Sequence, residues 1–215
     1  MSRFLEIHPD NPQPRLIQHA VTVIRAGGVI AYPTDSCYAL GCRLGDKDAA
    51  TRIRRIRGVD KHHNMTLVCR DLSEIAVYAK VDNATYRLLK AHTPGPYTFI
   101  LPATHEVPRR LQHVGKKTIG LRVPDHVITS ALLAVLNEPL ISATLYLNAA
   151  ELPPTDAWEI RALLEHQVDL VIEGGSAALE PTTVVDLTTG SPTIVRYGLG
   201  STEAFEPARP RANRF

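Results

Sequence analysis

Short apolar runs alternate along this chain with stretches whose apolar residues return every three or four positions. Phe4 to Ile7 predicts a short strand. From Pro14, the spacing of Ile17, Val21 and Ile24 predicts an amphipathic helix, with proline suited to its first turn and Gly27 and Gly28 closing it. Val29 to Tyr32 is apolar throughout, as in a strand covered on both faces. It stops at the polar turn Pro33-Thr34-Asp35-Ser36, and Tyr38 and Gly41 complete the unit GGVIAYPTDSCYALG. Asp46 can cap a helix through Arg57 whose apolar face is Ala49, Ile53 and Ile56. Thr66 to Cys69 reads as a strand, and Asp71 and Asp82 as caps of two further helices.

The rhythm continues past a rigid turn, Thr93-Pro94-Gly95-Pro96. Strands are expected at Tyr97 to Leu101, Thr118 to Val123, Leu140 to Leu145 and Val168 to Ile172. Pro108 to Leu111 reads as a helical turn, Asp125 as the start of an apolar helix through Leu136, and Asp156 as the cap of the helix holding Trp158 and Ile160. Thr182 to Leu187 and Thr193 to Arg196 form a hairpin pattern around Thr189-Gly190. Strands and helices alternating in this way predict an α/β layered domain with a large sheet. No internal repeat or interior linker interrupts it, so residues 1–200 read as one domain and 201–215, rich in Pro, Arg and Ala, as a loose tail.

Composition narrows the class without naming a function. A chain of 215 residues with 44% hydrophobic and 21% charged positions can bury its own core. No apolar run approaches a membrane span, and MSRFLEIHPD lacks the pattern of a secretory leader, so a cytoplasmic protein is expected. Cys37, Cys42 and Cys69 have no zinc-site spacing and read as buried thiols. The net charge of +2 is too small for a general nucleic-acid binder. The basic residues cluster, however, in Arg52, Arg54, Arg55, Arg57, Lys61, His62 and His63, and again in Arg109, Arg110, Lys116, Lys117 and Arg122. Two such clusters meeting at one cleft would make an anion site.

Polar groups recur where predicted strands end: Thr34, Arg122, Ser142 and Thr144, Thr182 and Thr183, and Arg196. Ligands of open α/β sheets bind at strand ends. Thr182 and Thr183 fit a β-branched strand equally well, and His62 and His63 read as loop residues rather than catalysts. There is no GxxxxGK[ST] loop, HExxH or Ser-His-Asp signature, so a phosphate here would be held by arginines, lysines and hydroxyls.

Taken together, GGVIAYPTDSCYALG, RIRGVDKHHNMTLV, TPGPYTFIL, TIGLRVPDH, LISATLY and PTTVVDLTTGSPTIVRYG resemble the YrdC/YciO family, from Asn11 to Gly200. IHPDNPQPRL, TDSCYALGC and PRRL look most like its YciO branch. The resemblance implies a twisted open mixed sheet flanked by helices, YrdC/RibB-like, with a concave basic cleft. It implies a reaction in tRNA threonylcarbamoyladenosine modification: L-threonine, bicarbonate and ATP give threonylcarbamoyl-AMP and pyrophosphate. It places Thr34, Arg122, Ser142 and Thr182 at threonine, Arg55 and Arg57 at the reacting phosphate, and Thr118, Thr144 and Arg196 with them at the nucleotide. Mg²⁺ is expected with ATP, held mainly by phosphates. The chain departs from the family's pattern in four places. Its Lys-x-Arg pair becomes Arg55-Ile56-Arg57, its Ser-x-Asn becomes Thr144-Leu145-Tyr146, and a family histidine falls on Cys69. The linker from Gly58 to Asn64 is slightly longer, and its His62 and His63 could compensate. The alternative is a YciO-like protein that binds double-stranded RNA or tRNA in the same cleft, with weak or altered synthase activity.

Overall fold

The computed structural model describes residues 2–60, 63–113, 115–147 and 152–206. Lys61, His62 and the tail arginines Arg209, Arg211 and Arg214 lie outside the described residues. Ten strands form one sheet among those described. They are β1 (Arg3–Glu6), β2 (Ile30–Tyr32), β3 (Ala39–Arg43), β4 (Thr66–Val68), β5 (Tyr97–Pro102), β6 (Thr118–Arg122), β7 (Leu140–Thr144), β8 (Leu170–Glu173), β9 (Thr183–Asp186) and β10 (Thr193–Arg196). The helices are α1 (Pro14–Arg25), α2 (Lys47–Ile56), α3 (Leu72–Tyr78), α4 (Asn83–His92), α5 (Val127–Leu136) and α6 (Ala157–Leu164).

The spatial order is β1-β8-β2-β3-β7-β4-β6-β5-β9-β10. Parallel pairs (β1/β8, β8/β2, β4/β6, β5/β9) mix with antiparallel ones, so the expected mixed α/β sheet flanked by helices is observed. The expected caps form as well. Asp46 accepts from the Ala49 N–H at 2.8 Å, Asp71 from Glu74 at 2.9 Å and Asp82 from Thr85 at 2.7 Å. Asp156 accepts from both Trp158 and Glu159. Each satisfies a backbone donor that a helix start leaves open.

Three elements differ from expectation. The apolar pattern predicts no strand at β3, where Tyr38 and Gly41 only close the unit that holds the turn. The ALGCR of β3 is not a typical strand sequence, because glycine weakens a strand interior. Gly41 is required there, since a Cβ would lie 2.8 Å from the Tyr32 ring, which crosses this position. Helix α5 begins at Val127 with His126 in the cap position and no side-chain cap, while the backbone N–H of Asp125 donates to Asp35 at 3.0 Å. Finally, packing extends past Gly200. Phe205 is buried against His92, Tyr97 and Phe99.

Alternation along the strands builds two apolar layers. Ile30, Tyr32, Val68, Leu140, Leu170 and Ile172 pack under α1 and α5. Ala31, Leu40, Leu67, Phe99, Leu121 and Ile141 pack on the opposite face, against α2, α3, α4 and α6. The alternate positions of β4 to β7 share a face with the first layer, yet most of those beyond Val68 and Leu140 are small or polar. Thr66, Thr98 and Ile100, Thr118 and Gly120, and Ser142 and Thr144 line a cavity there instead of a core, with Val68 bordering both.

Candidate active site

This cavity has a volume of about 520 Å³. One row of its floor is set by strand register: Ser142 pairs with Thr66, Thr66 with Gly120, and Gly120 with Ile100. Arg57, Arg122 and Arg196 reach the cavity, with His63 and His113 among its lining. Of the residues expected from sequence, Arg57, Thr118, Arg122, Ser142, Thr144, Thr182 and Arg196 meet here.

Two expected residues do not line it. Thr34 is buried with its hydroxyl turned back into the turn, donating to the Cys37 carbonyl at 2.7 Å and accepting from the Ser36 N–H at 3.1 Å. Its neighbours Asp35 and Ser36 are the residues of the turn that reach Arg122. Arg55 is exposed and lines a separate groove of about 880 Å³ with Arg3, Arg52, Glu165 and Asp169. The helical step explains this. Residues three apart share a face of α2, so Arg52 and Arg55 point one way and Arg57 the other.

Arg122 ends β6, buried, and forms an ion pair with Asp35. Asp35 is fixed in turn by the Asp125 N–H, and the Pro33 carbonyl accepts from Thr129 of α5 at 2.8 Å. The Arg122 Nε is buried without a partner among the described residues. An unmet buried donor costs about 1–3 kcal/mol, which a ligand carboxylate would offset. On the floor nearby, Tyr32 and Ser142 share a hydrogen bond at 2.8 Å, and Ser142 also reaches the Leu40 carbonyl. Burial pushes the Tyr32 phenol up to about 12, so it stays protonated as a donor or acceptor at neutral pH.

On the β9–β10 side, Arg196 donates through Nε and Nη2 to the Thr182 carbonyl at 3.1 and 2.8 Å, and Nη2 also lies 3.0 Å from the Thr182 hydroxyl. That hydroxyl lies 2.9 Å from the Thr98 hydroxyl. At the mouth, Arg57 closes α2 and its Nη1 lies 2.8 Å from His63 Nε2. Its guanidinium also sits 5.8 Å from the centre of the Tyr146 ring. Burial lowers both the Arg57 and the Arg196 pKa, yet guanidinium stays charged at any relevant pH. Their charges therefore act where water screens them least. Cys37 faces the same cavity, but burial pushes its thiol up to about 11 and removes it as a nucleophile at neutral pH.

Sequence reasoning missed Tyr32, Asp35, Ser36, Thr98 and His113, and it read His63 as a loop residue rather than a catalyst. Tyr32 and Thr98 carry a readable signal, a polar group at an alternate position of an otherwise apolar strand. Asp35 and Ser36 sit in the quoted turn, but no pattern says which turn residue faces inward. His63 and His113 come from loops, whose path the sequence does not fix.

Residues 22–198 match the model of the Sua5/YciO/YrdC family, which is described as telomere recombination. The chain is 55% identical to the uncharacterized protein YciO of Escherichia coli (strain K12) over 205 residues, 95% of this chain and 100% of that protein. The crystal structure of E. coli YciO superposes with a TM-score of 0.93, covering 96% of this chain and 100% of the other. A threonylcarbamoyl-AMP synthase of Chromobacterium violaceum is 35% identical over 184 residues, 85% of this chain and 94% of that protein. Sua5 of P. abyssi complexed with L-threonine superposes with a TM-score of 0.84 at 26% identity, covering 92% of this chain and 58% of Sua5.

Proposed function

Since this chain belongs to the Sua5/YciO/YrdC family, we propose that its cavity binds L-threonine beside ATP and forms threonylcarbamoyl-AMP. Threonine's free amine attacks the carbon of bicarbonate; a C–N bond forms and a C–O bond breaks with loss of water to leave a carbamate. A carbamate oxygen then attacks the α-phosphorus of ATP. The bond from that phosphorus to the bridging oxygen breaks, and pyrophosphate leaves. The observation that carries the reading is Arg122, a buried guanidinium with an unmet Nε–H on a floor of hydroxyls. It would hold the threonine carboxylate, with Ser142 and Thr182 near the substrate's hydroxyl and amine. The nearness of the solved Sua5 complex with L-threonine supports this placement.

Arg57 and Arg196 would neutralise charge building on the phosphate oxygens, with Thr118 and Thr144 as nucleotide contacts. Among the described residues no group of three His, Cys, Asp or Glu side chains gathers. Asp35 is already held by Arg122 and the Asp125 N–H. These residues fit Mg²⁺ carried in on the phosphates of ATP better than in a cage of protein ligands. Among the described residues no helix is long and apolar enough to cross a membrane, and a cytoplasmic setting fits the ATP and tRNA chemistry.

The test is pyrophosphate release from the purified protein given L-threonine, bicarbonate, Mg²⁺ and ATP. Threonine-dependent release is expected, and Arg57→Gln should lower it about 10²-fold. Arg55→Lys should leave it unchanged, since Arg55 lies outside the cavity. The reading fails if threonine adds no release and supplied adenylate is not broken down either. Double-stranded RNA or tRNA binding, expected from the sequence at the same cleft, is the second reading; the separate groove adds Arg3 and Arg55, with Arg52 already paired to Asp169. A gel shift that weakens steeply with salt would support it.

A further inference from the structure

His63 is the cavity residue with the least obvious task. It comes from the loop after α2, and its Nε2 lies 2.8 Å from Arg57 Nη1. Guanidinium has no acceptor, so Nε2 must accept and the ring is neutral, with its proton on Nδ1. The groups around it explain why it is neutral. Burial opposes a positive imidazole most, Arg57 and Arg54 at the end of α2 oppose it further, and Asp60 in the loop favours one. Across the cavity, Tyr146 and Arg196 also act on Arg57. The second cation that the sequence assigns beside Arg57 is Arg55, and that side chain points into the other groove. The position next to Arg57 therefore belongs to a histidine, the side chain whose charge responds to its surroundings near neutral pH.

We propose that His63 is a proton-coupled positioning residue of this site. It holds Arg57 in the free protein, and when a phosphorylated ligand engages Arg57 it takes a proton from solvent and becomes a second cation beside the phosphate. The proposal rests on the reading of the cavity as a nucleotide site. A phosphate there cancels the field of Arg57 and Arg54, which adds to burial in keeping the ring neutral, and it offers the new N–H an acceptor that offsets the cost of burying the charge. A ring that gains protons on binding makes binding tighter as pH falls, with the largest effect where the free ring is neutral and the bound ring charged.

Titration calorimetry of the full chain with Mg·ATP in the presence of L-threonine, at about pH 7 in two buffers of different ionisation enthalpy, measures the protons exchanged. The variant is His63→Gln, which keeps an acceptor for Arg57 and cannot titrate. ATP's own proton exchange is common to both proteins and cancels in the difference. The wild type is expected to take up a substantial fraction of a proton more than the variant. Its affinity should rise toward low pH by up to about tenfold for each unit that binding raises the ring's pKa. Equal uptake in the two proteins overturns the proposal, even if both bind ATP and the nucleotide reading stands. Absence of any Mg·ATP binding by the wild type overturns both.

Discussion

Arg122 and Asp35 are buried together, with side chains 8% and 9% exposed, at the wall of an otherwise open cavity. Removing one member of a buried ion pair leaves an uncompensated charge and costs about 3–5 kcal/mol, whereas removing both costs much less. Arg122→Gln is therefore expected to lower the unfolding free energy measured by urea titration by an amount of that size, seen as a lower midpoint. In Arg122→Gln with Asp35→Asn the two losses should fail to add, by about 0.5–3 kcal/mol. Additive losses in the double-mutant cycle would mean that the two side chains are not energetically coupled. Arg122 was legible in TIGLRVP as the charge ending an alternating strand. Asp35 was visible as a letter in PTDS but not as a partner. The sequence singled out Thr34, one position away, because turn chemistry allows any of these residues to face inward. The choice is made by contacts 87 and 90 positions away in the chain, at Arg122 and Asp125.

At the scale of elements, helices were the easiest to read, since each of four aspartates caps the helix it precedes. Their reach into function was harder. The spacing of arginines in α2 is plain in the sequence, but its rotation about its own axis is fixed by Ala49, Ala50, Ile53 and Ile56 against the sheet. That rotation sends Arg57 to the cavity and Arg55 away from it. Strand β3 stayed hidden because its central residue is a glycine. Gly41 lies where Tyr32 crosses to reach Ser142, and a methyl there would sit 2.8 Å from Cε1 and 3.3 Å from Cδ1 of the ring. The Tyr32 ring is fully buried in this layer. Gly41→Ala should cost about 1–3 kcal/mol, the usual range for overpacking, and should disturb the Tyr32–Ser142 contact. Equilibrium unfolding measures the first effect. Loss of threonine protection against thermal unfolding measures the second, and an unchanged protein would show that Tyr32 can move aside freely.

Across the whole molecule, one sheet serves as a core on one part of a face and as a binding surface on another. Helices α1 and α5 cover the β1-β8-β2 side, and among the described residues none from helices α1 to α6 lines the cavity over the row from Ser142 to Ile100. A cavity floor without a covering layer must be braced from its edges, and the segment after β10 does this. Thr183 donates its hydroxyl to the Gly200 carbonyl at 2.6 Å, the Leu199 N–H donates to Pro181, and Phe205 closes against His92, Tyr97 and Phe99. Thr182, which Arg196 grips, lies between the first two of these attachments. Phe205 is 4% exposed, so Phe205→Ala should cost about 3 kcal/mol, or roughly 6–12 °C in Tm for a chain of this size. The strap also holds a cavity wall, so the variant should gain less Tm than wild type from the same concentrations of L-threonine and Mg·ATP. Ligand stabilisation scales with the logarithm of affinity. A variant that loses stability but keeps the full ligand-induced shift would confine the strap to a structural role and leave Thr182 and Arg196 positioned by the β9–β10 hairpin alone.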